Sequence, residues 1–565
     1  MKRWILLVGI LFLAVASVVV SERRKVDVPP SPAALLYLVA DTEQELTRMP
    51  VSFARLSDEE EIRIGNGLAK YYASGEGRDN TPENTIIEHY LGRVGEQVAR
   101  NAHRRLPYKF HYLPDSYLIN AFALPGGHVF VGGGLLALMD SEDELAAVLG
   151  HEIEHIDHYD CAERVQREQA LRKIPLGVLI EIPIEVFEAG YSKDQELQAD
   201  RDGTRLSVEA GYSANGAIRM FETFARLYEE YARRARTPQE ELSQVAQQTL
   251  EGYFRSHPLP SERIAQVQRL IASEGWTARP ERDLAVAYMF WTAKAQSALA
   301  AKNYPQAEHL ATHSLKLRPD QPKALLVLAL SRFAQANFSG AAEAYRKILD
   351  IDKTSHPEII AAYAQALAAA DHKGALAQFH AWVQSLEGEK PREVAVSEAG
   401  LELLNGAPEA ARRLEGELSR SSDSTAPLYV AESAWWEYLA ANYDMSVELL
   451  TEAHQLRPGD GSVTVPLAWS LIEVRRYADA LQILESSAYE PNIQPEKMMA
   501  RAVARWQAQQ HDEALVDFRS AVAGQPEWEN SNWVHALYSP LVAQSIREMQ
   551  AERERRKKAK ENRAP

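Results

Sequence analysis

The residues best suited to chemistry are His151, Glu152 and His155, in the string His151-Glu152-Ile153-Glu154-His155. Inside a helix, positions four apart share a face, so both imidazoles can be aimed at one metal ion. Glu152 beside them reads as a general base, taking a proton from an attacking water whose pKa a zinc ion lowers toward 7. The chemistry implied is hydrolysis assisted by one zinc ion per chain. A catalytic zinc takes three protein ligands and keeps one position open, so a third donor must come from elsewhere. Glu196, in Glu196-Leu197-Gln198-Ala199-Asp200, is the candidate, although such a carboxylate equally suits a solvated helix face. Asp200, one turn on, can accept a hydrogen bond from a ligand histidine and fix its tautomer, or be a plain surface carboxylate. His158 follows His155 too closely for the extended zinc motifs, which place a further histidine about six residues on, past a glycine turn. It reads as a non-ligand.

This chemistry requires the motif to sit within a helix. The lead-in Asp143–Gly150 is amphipathic, with Leu145, Val148 and Leu149 as its apolar face, and Ser141 with Glu144 forms a capping-box pattern. A chain of 565 residues is too long for one core. Residues 1–25 read as an export segment: Lys2 and Arg3, an apolar run from Trp4 to Val20, then Ser21-Glu22-Arg23-Arg24-Lys25. Ala14-Val15-Ala16 offers a cleavage site, while the run's length and the basic residues after it also suit an uncleaved anchor. No cysteine directly follows the run, which excludes a lipoprotein anchor. Either way the body is exported, and the expected location is the periplasm, soluble or tethered by residues 4–20. Pro29-Pro30-Ser31-Pro32 looks like a stiff linker. Ile174–Phe187 is too short and too interrupted, by Pro175, Glu181, Pro183 and Glu185, to be a second span, and reads as a buried or interfacial helix.

The expected fold class is mainly α. Residues 41–276 would form an α-rich zincin-type domain with a small β element, residues 283–550 an α-solenoid, and residues 551–565 a frayed charged tail. The solenoid rests on a repeat. Tyr304 and Ala307, Phe338 and Ala341, and His372 and Ala375 recur 34 residues apart. So do Tyr443 and Ser446, Tyr477 and Ala480, and His511 and Ala514. A period of this length resembles the tetratricopeptide (TPR) repeat, the small residue letting two helices approach and the aromatic packing on the next pair. The stretch around Asn405–Ala410 is a degenerate repeat, and a capping helix follows from about Trp528. The net charge of −17 argues against a nucleic-acid partner. The single cysteine, Cys161, allows no intrachain disulfide and no cysteine-based zinc site; a buried, inert thiol is expected.

Three strings together, Asn120–His155, Glu196–Gly203 and Ser256–Ile264, resemble the Ste24/HtpX/BepA-type zinc metalloproteases in order and spacing across roughly residues 55 to 275. With the repeats behind them, the architecture resembles the periplasmic branch of that family that acts in beta-barrel assembly. The resemblance implies zinc ligation by His151, His155 and Glu196, with Glu152 as base. It implies that His257 can occupy the open metal position and hold the enzyme latent. It also implies that Asn120-Ala121-Phe122, in a strand running on through Val131, is an edge against which an extended substrate lies; a plain strand with a bulge at Gly126 and Gly127 is the alternative. Glu154 stands where that family often has a small residue, and points away from the zinc face. Tyr253 and Arg263 are candidates for oxyanion stabilisation. The expected partners are unfolded or misassembled envelope proteins and, through the TPR array, outer-membrane assembly machinery. The competing reading is a TPR adaptor or chaperone whose protease domain is latent or inactive. A purely structural zinc domain would leave Glu152 without a task.

Overall fold

The computed structural model describes residues 56–73, 81–172, 191–234, 260–352, 357–388, 390–407, 409–410, 413, 426–486, 490–491 and 493–561. The fold is mainly α with one small sheet, and the chain divides into two compact units, Met1–Ala287 and Tyr288–Pro565. The apolar N-terminal run, Pro29–Pro32, Ile174–Phe187, Tyr253 and His257 lie outside the described residues. No described helix is long and apolar enough to cross a membrane.

The first unit opens with α1 (Asp58–Ala73) and α2 (Pro82–Ala99), then the strands β1 (Lys109–Leu113), β2 (Ala121–Leu124) and β3 (His128–Gly132). The sheet order is β1-β3-β2, with β3 parallel to β1 and antiparallel to β2. Phe122 stacks on Phe130 at 5.1 Å, and Ile64 and Leu68 of α1 pack on the pair. One expectation is corrected here. The segment from Asn120 to Val131 is not one bulged strand: it reverses at Pro125-Gly126-Gly127, so that Leu124 pairs with His128. The reversal needs Gly126 at φ 77°, where a Cβ would also come within 2.6 Å of the Ile62 Cα. The Gly126 N–H then donates to the buried Glu61 carboxylate at 3.1 Å.

After the sheet come α3 (Glu142–Asp157), α4 (Asp160–Arg172), α5 (Lys193–Glu209), α6 (Asn215–Arg234) and α7 (Pro260–Glu274). The capping box forms: the Ser141 hydroxyl accepts from the Glu144 N–H, and the Glu144 carboxylate accepts from the Ser141 N–H, both at 3.1 Å. Both ends of α3 are clamped. At its start Glu142 accepts from the Tyr90 hydroxyl and Arg93, and Asp143 accepts from the Ser213 and Arg282 N–H groups. Burial raises the Glu142 pKa, but its hydrogen bonds from Arg93 and Tyr90 outweigh this and hold it below the usual range. At its end Asp157, badly placed against the helix dipole, accepts the N–H groups of His103 and Arg104 at 3.0 and 2.6 Å. The middle of α3 crosses α5 at Gly150 and Gly203. A Cβ on Gly203 would lie 2.6 Å from both the Gly150 carbonyl carbon and the His151 nitrogen. Two side-chain-free positions thus let the backbones touch next to His151.

In the second unit helices pair across short turns: Ala287–Ala300 with Tyr304–Leu317, Pro322–Ala334 with Phe338–Ile351, and Pro357–Ala370 with Ala375–Val383. Ala426–Leu439 likewise pairs with Tyr443–Leu456, Gly461–Glu473 with Tyr477–Ser486, and Gln494–Gln507 with His511–Gly524. Each small repeat residue, Ala307, Ala341, Ala375, Ser446, Ala480 and Ala514, has no exposed surface. Five of the turns carry a non-glycine residue at positive φ: Lys302, Ala336, Ala441, Arg475 and Gln509. His372 departs from the pattern: its helix begins only at Ala375, and its ring nitrogen Nε2 lies 3.1 Å from the Leu404 carbonyl. The segment from Ala551 is regular helix to Glu561 rather than frayed, because Arg553 reaches Glu529 and Arg556 reaches Asp512, each at 2.6 Å.

Candidate metal centre

His151 and His155 lie one turn apart on α3 and face Glu196 on α5, all three buried. The two Nε2 atoms are 3.1 Å apart, and the Glu196 carboxylate oxygens lie 3.4 Å from His151 and 3.8 Å from His155. Zinc–nitrogen and zinc–oxygen bonds of about 2.1 Å in a tetrahedron set ligand atoms about 3.4 Å apart. The spacing of this donor set therefore suits zinc, as does its content of two imidazoles and one carboxylate.

Each imidazole has its other nitrogen held. His151 Nδ1 is 2.9 Å from Asp200, and His155 Nδ1 is 2.9 Å from Asp160. The carboxylates fix the tautomers, so that each Nδ1 carries hydrogen and each Nε2 lone pair points at the shared focus. Asp200 is itself gripped by two Arg263 nitrogens at 2.5 and 2.7 Å. Burial opposes the charge on Asp200, but Arg263 outweighs it and keeps the carboxyl below its ordinary pKa. Asp160 accepts from the Gln195 amide at 2.5 Å, and Glu196 accepts the Tyr191 N–H at 3.1 Å. The Tyr191 ring stacks on His155 at 3.9 Å. Burial opposes a charged His151, yet Asp200 and Glu196 push its pKa up to about 10, so this donor set draws positive charge to its focus. Burial raises the Glu152 carboxyl to about 7.

A cleft of about 490 Å³ opens over His151 and Glu152. Met220, Phe221 and Phe224 of α6 give it an apolar wall, and Asn120 and Ala121 reach it from the sheet. The Phe122 side chain turns into the core instead, so only its backbone is on offer. In the antiparallel ladder, Asn120 O accepts from Gly132 N at 2.9 Å. By the alternation of such ladders, the peptide groups of Ala121 and Ala123 then face away from β3. The Ala123 carbonyl accepts the Cys161 thiol at 3.6 Å, and Ala121 faces the cleft. Cys161 is fully buried, and burial raises its pKa.

Thus the structure gathers His151, Glu152, His155, Glu196 and Asp200 at one place, with Asn120 and Ala121 at its rim. His158 is turned away, toward Glu154 and Asp202. Arg263 is engaged by Asp200. Asp160, Tyr191 and the α6 wall escaped the sequence reading. Nothing in the local pattern marked them.

An α-rich unit with this donor set on crossed helices has the make-up of a metallopeptidase domain. Residues 86–271 match the model of peptidase family M48, and the helix-pair repeats follow that stretch in the chain. Among curated proteins it is 26% identical over 325 residues to a putative beta-barrel assembly-enhancing protease of Vibrio cholerae, covering 48% of this chain and 63% of that protein. It is 25% identical over 253 residues to the beta-barrel assembly-enhancing protease of Escherichia coli K12, covering 40% and 47% respectively. It is also 28% identical over 196 residues to the mitochondrial metalloendopeptidase OMA1 of Schizosaccharomyces pombe, covering 30% and 58%. The chain spans less than two thirds of the length of these relatives. A solved tetratricopeptide repeat protein from Parabacteroides merdae covers 46% of this chain and 98% of its own length, at 15% identity and a TM-score of 0.30.

Proposed function

We propose that this protein is a zinc-dependent endopeptidase of the cell envelope, located in the periplasm and acting on unfolded or misassembled envelope proteins. Its repeats would recruit those substrates or the outer-membrane assembly machinery. The observation that carries the reading is the zinc-like spacing of His151, His155 and Glu196 beside Glu152 on the floor of an open cleft. The apolar N-terminal run and the names of the relatives support the location; the net charge of −17 speaks against nucleic acid.

A zinc ion held by these residues would supply Lewis acidity to a peptide carbonyl and make water acidic near neutral pH. Glu152 takes the proton of the attacking water and passes it to the leaving amine. Asp200 and Asp160 keep the two imidazoles oriented while this happens. The outward peptide group of Ala121 pairs with an extended chain and lays it across Glu152. The wall of Met220, Phe221 and Phe224 takes an apolar side chain, which unfolded protein exposes and folded protein does not. His257 is proposed, on the family resemblance alone, as a residue that holds the centre latent.

The test is zinc content together with cleavage of unfolded casein, in wild type, Glu152→Gln and His257→Ala. Glu152→Gln should keep the zinc content of wild type and lose about 100- to 10,000-fold in kcat, and His257→Ala should raise cleavage. Full cleavage by Glu152→Gln would sink the mechanism.

A further inference from the structure

The same two helices hold a second group of ligand-type side chains. Glu154 and His158 lie one turn apart at the end of α3, and Asp202 lies on α5; one ligand atom from each falls within 4.8 Å of the others. His158 Nε2 is 3.2 Å from Glu154 Oε2 and 3.8 Å from Asp202 Oδ2. Glu154 is 1% exposed, yet its Oε2 accepts no hydrogen bond. Burying a carboxylate oxygen with no donor is costly. His158 cannot serve both carboxylates, since one ring nitrogen carries at most one hydrogen. The Gln198 amide nitrogen, itself a donor, also approaches that ring nitrogen at 3.4 Å. In the tautomer with hydrogen on Nδ1, the Nε2 lone pair and two carboxylates face one another.

We infer that Glu154, His158 and Asp202 form a second divalent-cation site, for a metal such as zinc that accepts one imidazole and two carboxylates. The separations of 3.2 and 3.8 Å bracket the value of about 3.4 Å set by zinc–ligand bonds in a tetrahedron. His158 and Asp202 are partly exposed, at 24% and 18% of their side chains, so the site is reachable from solvent. Arg201 and Arg205 also hold Asp202, at 2.9 and 3.0 Å. They orient its carboxylate and draw off part of its charge, so this site binds more weakly than the centre at His151. A cation here joins the end of α3 to α5, the two helices whose other faces present the first donor set. The inference stands whether or not that first set holds zinc.

The experiment is equilibrium dialysis of the full-length chain against zinc alone, in wild type, His158→Gln and Asp202→Asn. Both substitutions fall at partly exposed positions and leave the His151 centre intact. Wild type should bind one equivalent more than either variant, and excess zinc should raise the thermal midpoint of wild type by more than that of either variant. Reading a difference of one equivalent keeps the result independent of the first site. Equal zinc counts in all three chains overturn the inference.

Discussion

At the scale of single residues, the candidate centre depends on which nitrogen of each imidazole is free. Asp200 and Asp160 hold the Nδ1 atoms, but they differ in what stands behind them: a buried Arg263 for Asp200, a neutral Gln195 amide for Asp160. Asp200→Asn should weaken zinc binding by about 10- to 100-fold, read by competition with a chelator. It should also cost about 3–5 kcal/mol of stability in denaturant unfolding, because the Arg263 guanidinium loses its counter-charge in a buried site. Asp160→Asn should weaken zinc binding comparably with a much smaller loss of stability. Unchanged affinity in both variants would mean that packing alone orients the rings. Of the two, Asp200 was readable because it follows Glu196 by one helical turn. Asp160 was not: it reaches His155 across a chain reversal at Tyr159, at φ 66°, and such a reversal leaves no periodic trace. His128, on β3, gives a separate pH dependence. Burial, with His111 and Lys109 nearby, lowers its pKa to about 4, against an ordinary value near 6.5. A lowered folded-state pKa means that its contribution to stability is full above pH 6.5 and is lost as the pH falls through 4. His128→Gln should remove up to about 1.4 kcal/mol per pH unit from the slope of stability in that window, as measured by denaturant unfolding at stepped pH.

At the scale of elements, the centre exists because α3 and α5 touch. The helical pattern, the capping box at Ser141 and the face shared by His151 and His155 were all legible, since each follows from local spacing. The crossing was not, because two glycines in different helices announce no pairing. Gly203→Ala tests it directly. The added methyl meets backbone rather than a flexible side chain, so the helices must part. Overpacking of this kind costs about 1–3 kcal/mol, and parting the helices should also draw Glu196 away from the histidines. The expected result is a lower thermal midpoint together with reduced zinc affinity, while the same substitution at the open Gly67 should leave the affinity unchanged. The hairpin was misread for a related reason. Alternation identifies strand residues on either side of Gly126 and Gly127, yet a bulge and a tight turn both call for glycine there. Only the pairing of Leu124 with His128 and the seat of the Gly126 N–H on Glu61 distinguish them.

At the scale of the whole molecule, the two units owe their stability to different things. The repeat unit is a sum of similar interfaces between neighbouring helix pairs, which is why its period could be read from Tyr304, Phe338, Tyr443, Tyr477 and His511 alone. The first unit has no period, and its core is assembled by long-range clamps such as Glu142 with Tyr90 and Asp143 with Arg282. Burying Glu196, Asp200 and Glu152 so close together costs free energy that a bound cation offsets, so its stability should follow zinc by mass action. At free zinc one hundred times the dissociation constant, the linkage amounts to about 2.7 kcal/mol. Calorimetry of the intact chain should therefore resolve a transition that moves down on chelation and a second that does not. Ala341→Leu, placing a larger side chain where two repeat helices meet, should shift only the second. If chelation moved both transitions equally, folding of the repeats would be coupled to the metal centre, and the repeats could no longer be treated as a unit stabilised by their own interfaces.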